Sequence, residues 1–257
     1  MSPFRRIPPG EEFPVSATLF VTYLKCPQQA LARLQGVYPP ATRAMFRGSL
    51  AHRVFARHLV DGVITPDDFT TACRQEAGAH LGGSMAELSL KPSEFRTITA
   101  EVEQLYDRFK SLPTDGFEDA EVDVQSEPVE GIALRGRVDA VFVEGDEVRI
   151  VDWKTGSSLD DAEPQLAFYA MAWQLANGSL PTTMEALSLK TGERRMTRPT
   201  EESAALTETQ VADMITALRG AMADRSEMPR TGGPHCRWCP LIDGCAEGAA
   251  ALKILES

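Results

Sequence analysis

Two acidic residues and a lysine mark the stretch of this chain best equipped for chemistry. Residues 136–156, GRVDAVFVEGDEVRIVDWKTG, place β-branched residues on both sides of Gly145-Asp146, a two-residue hairpin signal, and so read as two strands joined by a tight turn. With that turn, Asp139 sits directly across from Asp152, and Lys154 lies on the same face two residues on. Carboxylates so placed have Cβ atoms roughly 5 Å apart and repel, which calls for compensation. A divalent cation held by the carboxylate oxygens would supply it, with Lys154 adding a positive charge for an anionic substrate or an attacking water. The alternative is a solvated sheet face carrying ordinary charges. Val148 and Ile150 share the face with Asp152 and Lys154, so it is apolar before it turns acidic.

The elements that must position these residues can be read around them. Ser16 is a helix cap, and apolar residues at helical spacing run to Leu34, interrupted at Cys26-Pro27. Tyr38-Pro39-Pro40 breaks the chain before a helix from about Thr42 to Val60, which contains Gly48 and His52. A lone histidine on an amphipathic helix is more often a packed or surface residue than a ligand. Residues 61–118 read as a helical insertion, with a break at Gly82-Gly83-Ser84 and an amphipathic run from about Ser93 to Leu112. Ala120 to Pro128 begins the sheet. After the strand ending in Lys154 comes a helix from about Asp161 to Ala176, in which Gln165 and Tyr169 share a face beside an apolar stripe of Leu166, Ala170 and Trp173. Met184 to Leu189 and Arg194 to Thr197 are further strands, and residues 200–225 return to helix.

The 257 residues suffice for one αβ domain with an inserted helical part. A net charge of -11 argues against coating nucleic acid by bulk electrostatics, although a local basic groove is open to Arg43, Arg47, Arg53 and Arg57 at helical spacing, or to Arg194, Arg195 and Arg198. Ordinary exposed faces are the simpler reading of both sets. No apolar run approaches the roughly 20 residues that span a bilayer, and MSPFRRIPPGEEF lacks the apolar segment of a signal peptide, so a cytoplasmic location with no membrane partner is expected. Five cysteines are present; Cys236, Cys239 and Cys245 form CxxCxxxxxC, Cys26 stands alone near the start, and Cys73 is left over. Four thiolates suit a tetrahedral zinc or a [4Fe-4S] cluster, and spacing does not choose between them.

At these residues the sequence resembles the PD-(D/E)XK nuclease superfamily, in particular its RecB-type branch. Gly136-Arg137-Val138-Asp139 is similar to that branch's GxxD element, with Val138 where the name motif has Pro, and Asp152-Trp153-Lys154 to its DxK. Gly48 to His52 resembles its GxxxH element, and Gln165 with Tyr169 its QxxxY element. The arrangement of one early cysteine and three late ones, with Pro27 after Cys26 and with Trp238 and Pro240 in the triplet, resembles the iron-sulfur staple of AddB-type and CRISPR-associated nucleases. The resemblance implies a restriction-endonuclease-like core over 1–257, a mixed sheet flanked by helices, whose cysteine cluster at about 230–257 is joined to Cys26. It implies Mg2+ or Mn2+ held by His52, Asp139, Asp152 and the Trp153 carbonyl, with Lys154 catalytic and Gln165 and Tyr169 against the DNA backbone. The expected activity is metal-dependent deoxyribonuclease, in exonuclease mode on DNA ends or single strands, in DNA repair or foreign-DNA processing. Its partners would be DNA and a helicase or another repair or adaptation protein. The rival is a non-catalytic DNA-end or partner-binding module retaining the fold.

Overall fold

The computed structural model describes residues 2–8 and 10–256. A short strand, β1 (Phe13–Ser16), runs straight into α1 (Ala17–Lys25), because the Ser16 hydroxyl accepts the Leu19 N–H and caps the helix. Cys26 is extended and Pro27 occupies the first position of α2 (Pro27–Leu34), so the interruption read at this pair is a junction between two helices. Thr42 caps α3 (Arg43–Asp61), which ends at Gly62 with φ 97°. Three further helices follow, α4 (Pro66–His80), α5 (Gly82–Glu87) and α6 (Pro92–Phe109).

This helical part ends earlier than the expected residue 118, since β2 (Phe117–Ser126) already pairs from Phe117, and the Gly82-Gly83-Ser84 break instead starts a short helix. The remaining strands are β3 (Ile132–Glu144), β4 (Glu147–Lys154), β5 (Thr183–Ser188) and β6 (Arg194–Thr197). Between β4 and β5 lies α7 (Ala162–Asn177), and α8 (Glu201–Asp224) and α9 (Ala246–Leu255) complete the chain.

The sheet is mixed, in the order β1-β3-β4-β5-β6, with β2 on the other edge of β3. β3 and β4 form the expected hairpin around Gly145, with register from Glu144–Glu147 to Ala140–Val151. β1 pairs in parallel with Ile132 to Arg135, on the same edge of β3 that β4 takes up again at Ala140. Gly136 to Asp139 therefore lies in the fork where β1 and β4 diverge.

Two cores cover the two faces. On one, Ile132, Leu134, Val138 and Ile150 pack against α1, α2, α7 and α8. On the other, Ala140, Phe142, Val151 and Trp153 pack against α3, α4 and α6. The observed class is thus a mixed α/β fold with a sheet flanked by helices. No helix among the described residues is long and apolar enough to cross a membrane.

Candidate active site

The fork in the sheet leaves Asp139 with main-chain neighbours that no ladder satisfies. Its Oδ2 accepts the Trp153 N–H at 2.6 Å, and its Oδ1 meets His52 Nδ1 at 2.9 Å. The carboxylate thus ties β3 to β4 and to α3. His52 is brought there because α3 crosses close to the end of β4: a Cβ added at Gly48, one turn earlier, would lie 3.1 Å from Thr155 Oγ1.

Across the fork, Asp152 is 5 % exposed. The Lys154 ammonium ion-pairs with its Oδ2 at 2.6 Å. Gln165 of α7 holds both: its Oε1 accepts from Lys154 Nζ at 2.6 Å, and its Nε2 lies 3.2 Å from Asp152 Oδ1 and 3.1 Å from the Tyr169 hydroxyl. Tyr169 in turn packs on the backbone at Gly136, where an added Cβ would stand 3.0 Å from its ring. The glycine of the GxxD segment and the Gln–Tyr pair on α7 are one contact. Trp153 turns the other way, its ring against the edge of Phe109.

Glu121 is the residue that sequence reasoning missed. It sits in β2 with φ 54°, a left-handed conformation costly for a side chain of this kind, and ion-pairs with Arg53 at 3.3 Å and Arg137 at 3.6 Å. Ligand atoms of His52, Glu121 and Asp139 all lie within 4.8 Å of one another. The signal available in sequence was weak, an acidic residue in a short alternating stretch, because the pairing that brings it beside Asp139 is between β2 and β3.

Electrostatics set the protons. Burial pushes Asp152 up to about 6, with Lys154 pulling it down and Asp139 pushing it up. Burial alone would lower the His52 pKa, but the Asp139 carboxylate, helped by Asp152 and Glu121, leaves it above the ordinary value. Burial raises the Tyr169 phenol, as does the Asp152 charge, so it stays protonated. An imidazole and two carboxylates, His52, Glu121 and Asp139, with ligand atoms all within 4.8 Å of one another, form a donor set that fits a divalent cation such as Mn2+ or Mg2+.

The arginines of α3 do not form a free basic groove. Arg43 pairs with Glu94, Arg47 with Glu101, Arg53 with Glu121, and Arg57 with Asp61 and Glu76. Arg194 and Arg195 pair with Glu185 and Glu193.

Cys26, Cys236, Cys239 and Cys245 share one corner of the molecule. The Cys239 thiol is raised by burial and by the like charge of Cys236, Cys26 and Cys245. A Cβ added at Gly248 would lie 3.3 Å from the Cys245 sulfur and 3.4 Å from that of Cys236. Among the described residues, however, no three thiols approach within 4.8 Å of one another, so the expected four-cysteine staple is not seen as a closed cluster. Cys73 is apart from them, buried between α3 and α6 side chains, its thiol pushed up to about 12 by that burial.

A family profile described as the PD-(D/E)XK nuclease superfamily matches residues 14–246. No curated protein matches the chain. Among solved structures, a Eubacterium rectale protein titled "Putative exonuclease" superposes with a TM-score of 0.59 at 14 % identity, covering 89 % of this chain and 86 % of its own. The structure of SSO0001 has a TM-score of 0.45 at 15 % identity, with 92 % and 87 % covered. At these identities the likeness to the Eubacterium rectale protein speaks to the fold.

Proposed function

The chain belongs to the PD-(D/E)XK nuclease superfamily, and from that premise we propose that it is a metal-dependent deoxyribonuclease of the RecB-type branch. The observation that carries this reading is the convergence of His52, Glu121 and Asp139 within 4.8 Å, beside the buried Asp152–Lys154 pair. The cation held there would lower the pKa of a bound water and neutralise charge on the phosphate. The chain's own groups do the rest. Lys154, fixed by Gln165, presents an ammonium beside Asp152 to the reacting phosphate or water. Tyr169, kept protonated, holds Gln165 in place and offers a donor to the DNA backbone. In-line attack would leave a 5′-phosphate, and exonuclease action on DNA ends, in repair or in processing of foreign DNA with a helicase as partner, is the physiological reading.

The four-cysteine corner is read as the site of a [4Fe-4S] cluster. Four thiolates suit it, and the Cys239 thiol lies near enough to those of Cys236, Cys26 and Cys245 to be raised by their like charge.

The test is cleavage of end-labelled single- and double-stranded DNA, linear and circular, in Mg2+ or Mn2+, by anaerobically purified wild type and by Lys154→Ala. Cleavage lost in the variant is expected, and the circular substrates separate exonuclease from endonuclease action. None by either overturns the reading in favour of a binding module that retains the fold, and equal cleavage by both overturns the assignment of Lys154 to the reaction.

A further inference from the structure

A cleft of about 510 Å³ opens at the start of α3, walled by Pro39, Pro40 and Met45 and by Trp238 from the cysteine corner. Trp238 is 63 % exposed and Met45 54 %, whereas Trp153 is buried and Trp173 half-buried. Tyr38, also exposed, adjoins the proline pair. Each exposed ring carries a guanidinium: Arg237 lies 5.8 Å from the Trp238 centroid and Arg33 5.2 Å from that of Tyr38. Unlike the α3 arginines, neither has a carboxylate partner among the described residues.

The cleft is connected to the candidate active site by α3 itself. Met45 lies seven residues, almost two full turns, before His52, so the two side chains share one face, separated by roughly 10 Å along the axis. Between them on this face, Ser49 is exposed, and Gly48 lets Thr155 at the end of β4 approach the helix. An apolar cleft with exposed rings and unpaired arginines at its rim suits unstacked bases with a phosphate backbone alongside. A duplex keeps its bases stacked and cannot use it.

We propose that this cleft binds bases of a single-stranded DNA segment whose backbone continues along α3 to the His52 site. The inference rests on the nuclease reading and adds to it that the substrate arrives as a single strand, or as an end frayed over the nucleotides between Met45 and His52.

The experiment uses Lys154→Ala protein, which leaves the strand uncut, titrated by fluorescence anisotropy with labelled oligo(dT) and with a blunt-ended duplex. Trp238→Ala and Met45→Glu are then introduced in that background. Met45→Glu puts a carboxylate in the first turn of α3, where the helix terminus favours negative charge, so the fold is retained. Either change lowers oligo(dT) affinity by about tenfold, equivalent to about 1.4 kcal/mol and within the range of base stacking on an aromatic ring. Duplex affinity stays constant, and Trp238→Phe keeps the affinity for oligo(dT). Oligo(dT) also quenches tryptophan fluorescence in the parent and not in Trp238→Ala.

Unchanged oligo(dT) affinity in both variants overturns the proposal, as do equal losses on single strand and duplex. A change of oligomeric state with DNA affinity intact also overturns it, making the cleft a surface for a second copy. Failure of the nuclease reading is seen separately, as wild type that binds oligo(dT) through the cleft and does not cut it.

Discussion

Glu121 combines a left-handed backbone with a place in the donor set, and strain at such a position is retained where function demands it. Asn adopts that conformation more readily and removes the charge. Glu121→Asn is therefore expected to weaken Mn2+ binding by at least about tenfold with no fall in melting temperature, read by calorimetric titration beside thermal unfolding. A stability loss with Mn2+ affinity intact would make Glu121 a partner of Arg53 and Arg137 only. Gly136 gives the complementary case. The ring of Tyr169 occupies the space a side chain there would take, so Gly136→Ala presses on Tyr169 and through it on Gln165 and Lys154. The expected result is a destabilisation of about 1–3 kcal/mol and a slower cleavage rate with Mn2+ affinity unchanged. The contrast between these residues shows what the sequence could convey. Asp139 and Asp152 were legible because a two-residue turn fixes the register of everything near it. Glu121 was not, because its neighbour is set by a pairing whose connecting segment, 127–131, carries no comparable signal.

At the scale of elements, α3 does two jobs with two histidines six residues apart. His52 faces the fork; His58 is buried in the helical core against α6. The Tyr106 hydroxyl accepts the Ile64 N–H at 2.8 Å and pairs with His58 Nδ1, also at 2.8 Å. Burial holds the His58 pKa below its ordinary value, which favours the neutral imidazole. The folded pKa lies below the unfolded one, so the stabilisation is complete above about pH 6.5 and is lost as the pH falls from there toward the folded value. The stability difference between wild type and His58→Gln is therefore expected to turn against the wild type on acidification through this window, since the opposing contributions of His52 and Asp152, whose pKa values are raised, are common to both proteins. Tyr106→Phe, which orphans the Ile64 N–H and removes the hydrogen-bond partner of His58, should cost about 1–3 kcal/mol at neutral pH, measured by urea unfolding at matched pH. A stability difference between wild type and His58→Gln that stays flat across the window would contradict the assignment. The helices themselves were legible from the cap at Ser16 and from the helical stretches beginning near Thr42 and Asp161. β1 was not: four residues, FPVS, are too few to show a period, and the strand exists because Ile132 to Arg135 offers it an edge.

At the scale of the whole molecule, the net charge of -11 and the pairing of the α3 arginines leave little free positive charge for DNA. If Arg33 and Arg237 are the main cations facing phosphates, log affinity for oligo(dT) should fall with log salt at a slope near −1.4, about 0.7 for each of two released counterions. A slope several times steeper would place the strand elsewhere. The cysteine corner bears on stability instead. The Gln28 N–H donates to the Pro229 carbonyl at 3.2 Å and the Gln28 side-chain oxygen accepts the Met228 N–H at 2.6 Å, so the segment before the cysteine triplet is docked on α2. A cluster held by Cys26 and the late triplet would add the closure of a loop spanning most of the chain, worth about 5 kcal/mol by analogy with disulfides. Cys26→Ser should then lose bound iron and sulfide together and lower the melting temperature, while Mn2+ affinity at the His52 site is unaffected, because none of its ligands lies on α2 or the triplet. Retention of stoichiometric zinc by the wild type, with no sulfide, would assign the corner to a single ion and require the thiols to close in on it. Loss of Mn2+ affinity in Cys26→Ser would instead show that the fork between β1 and β4 depends on this tie, since β1 leads directly into the helix that ends at Cys26.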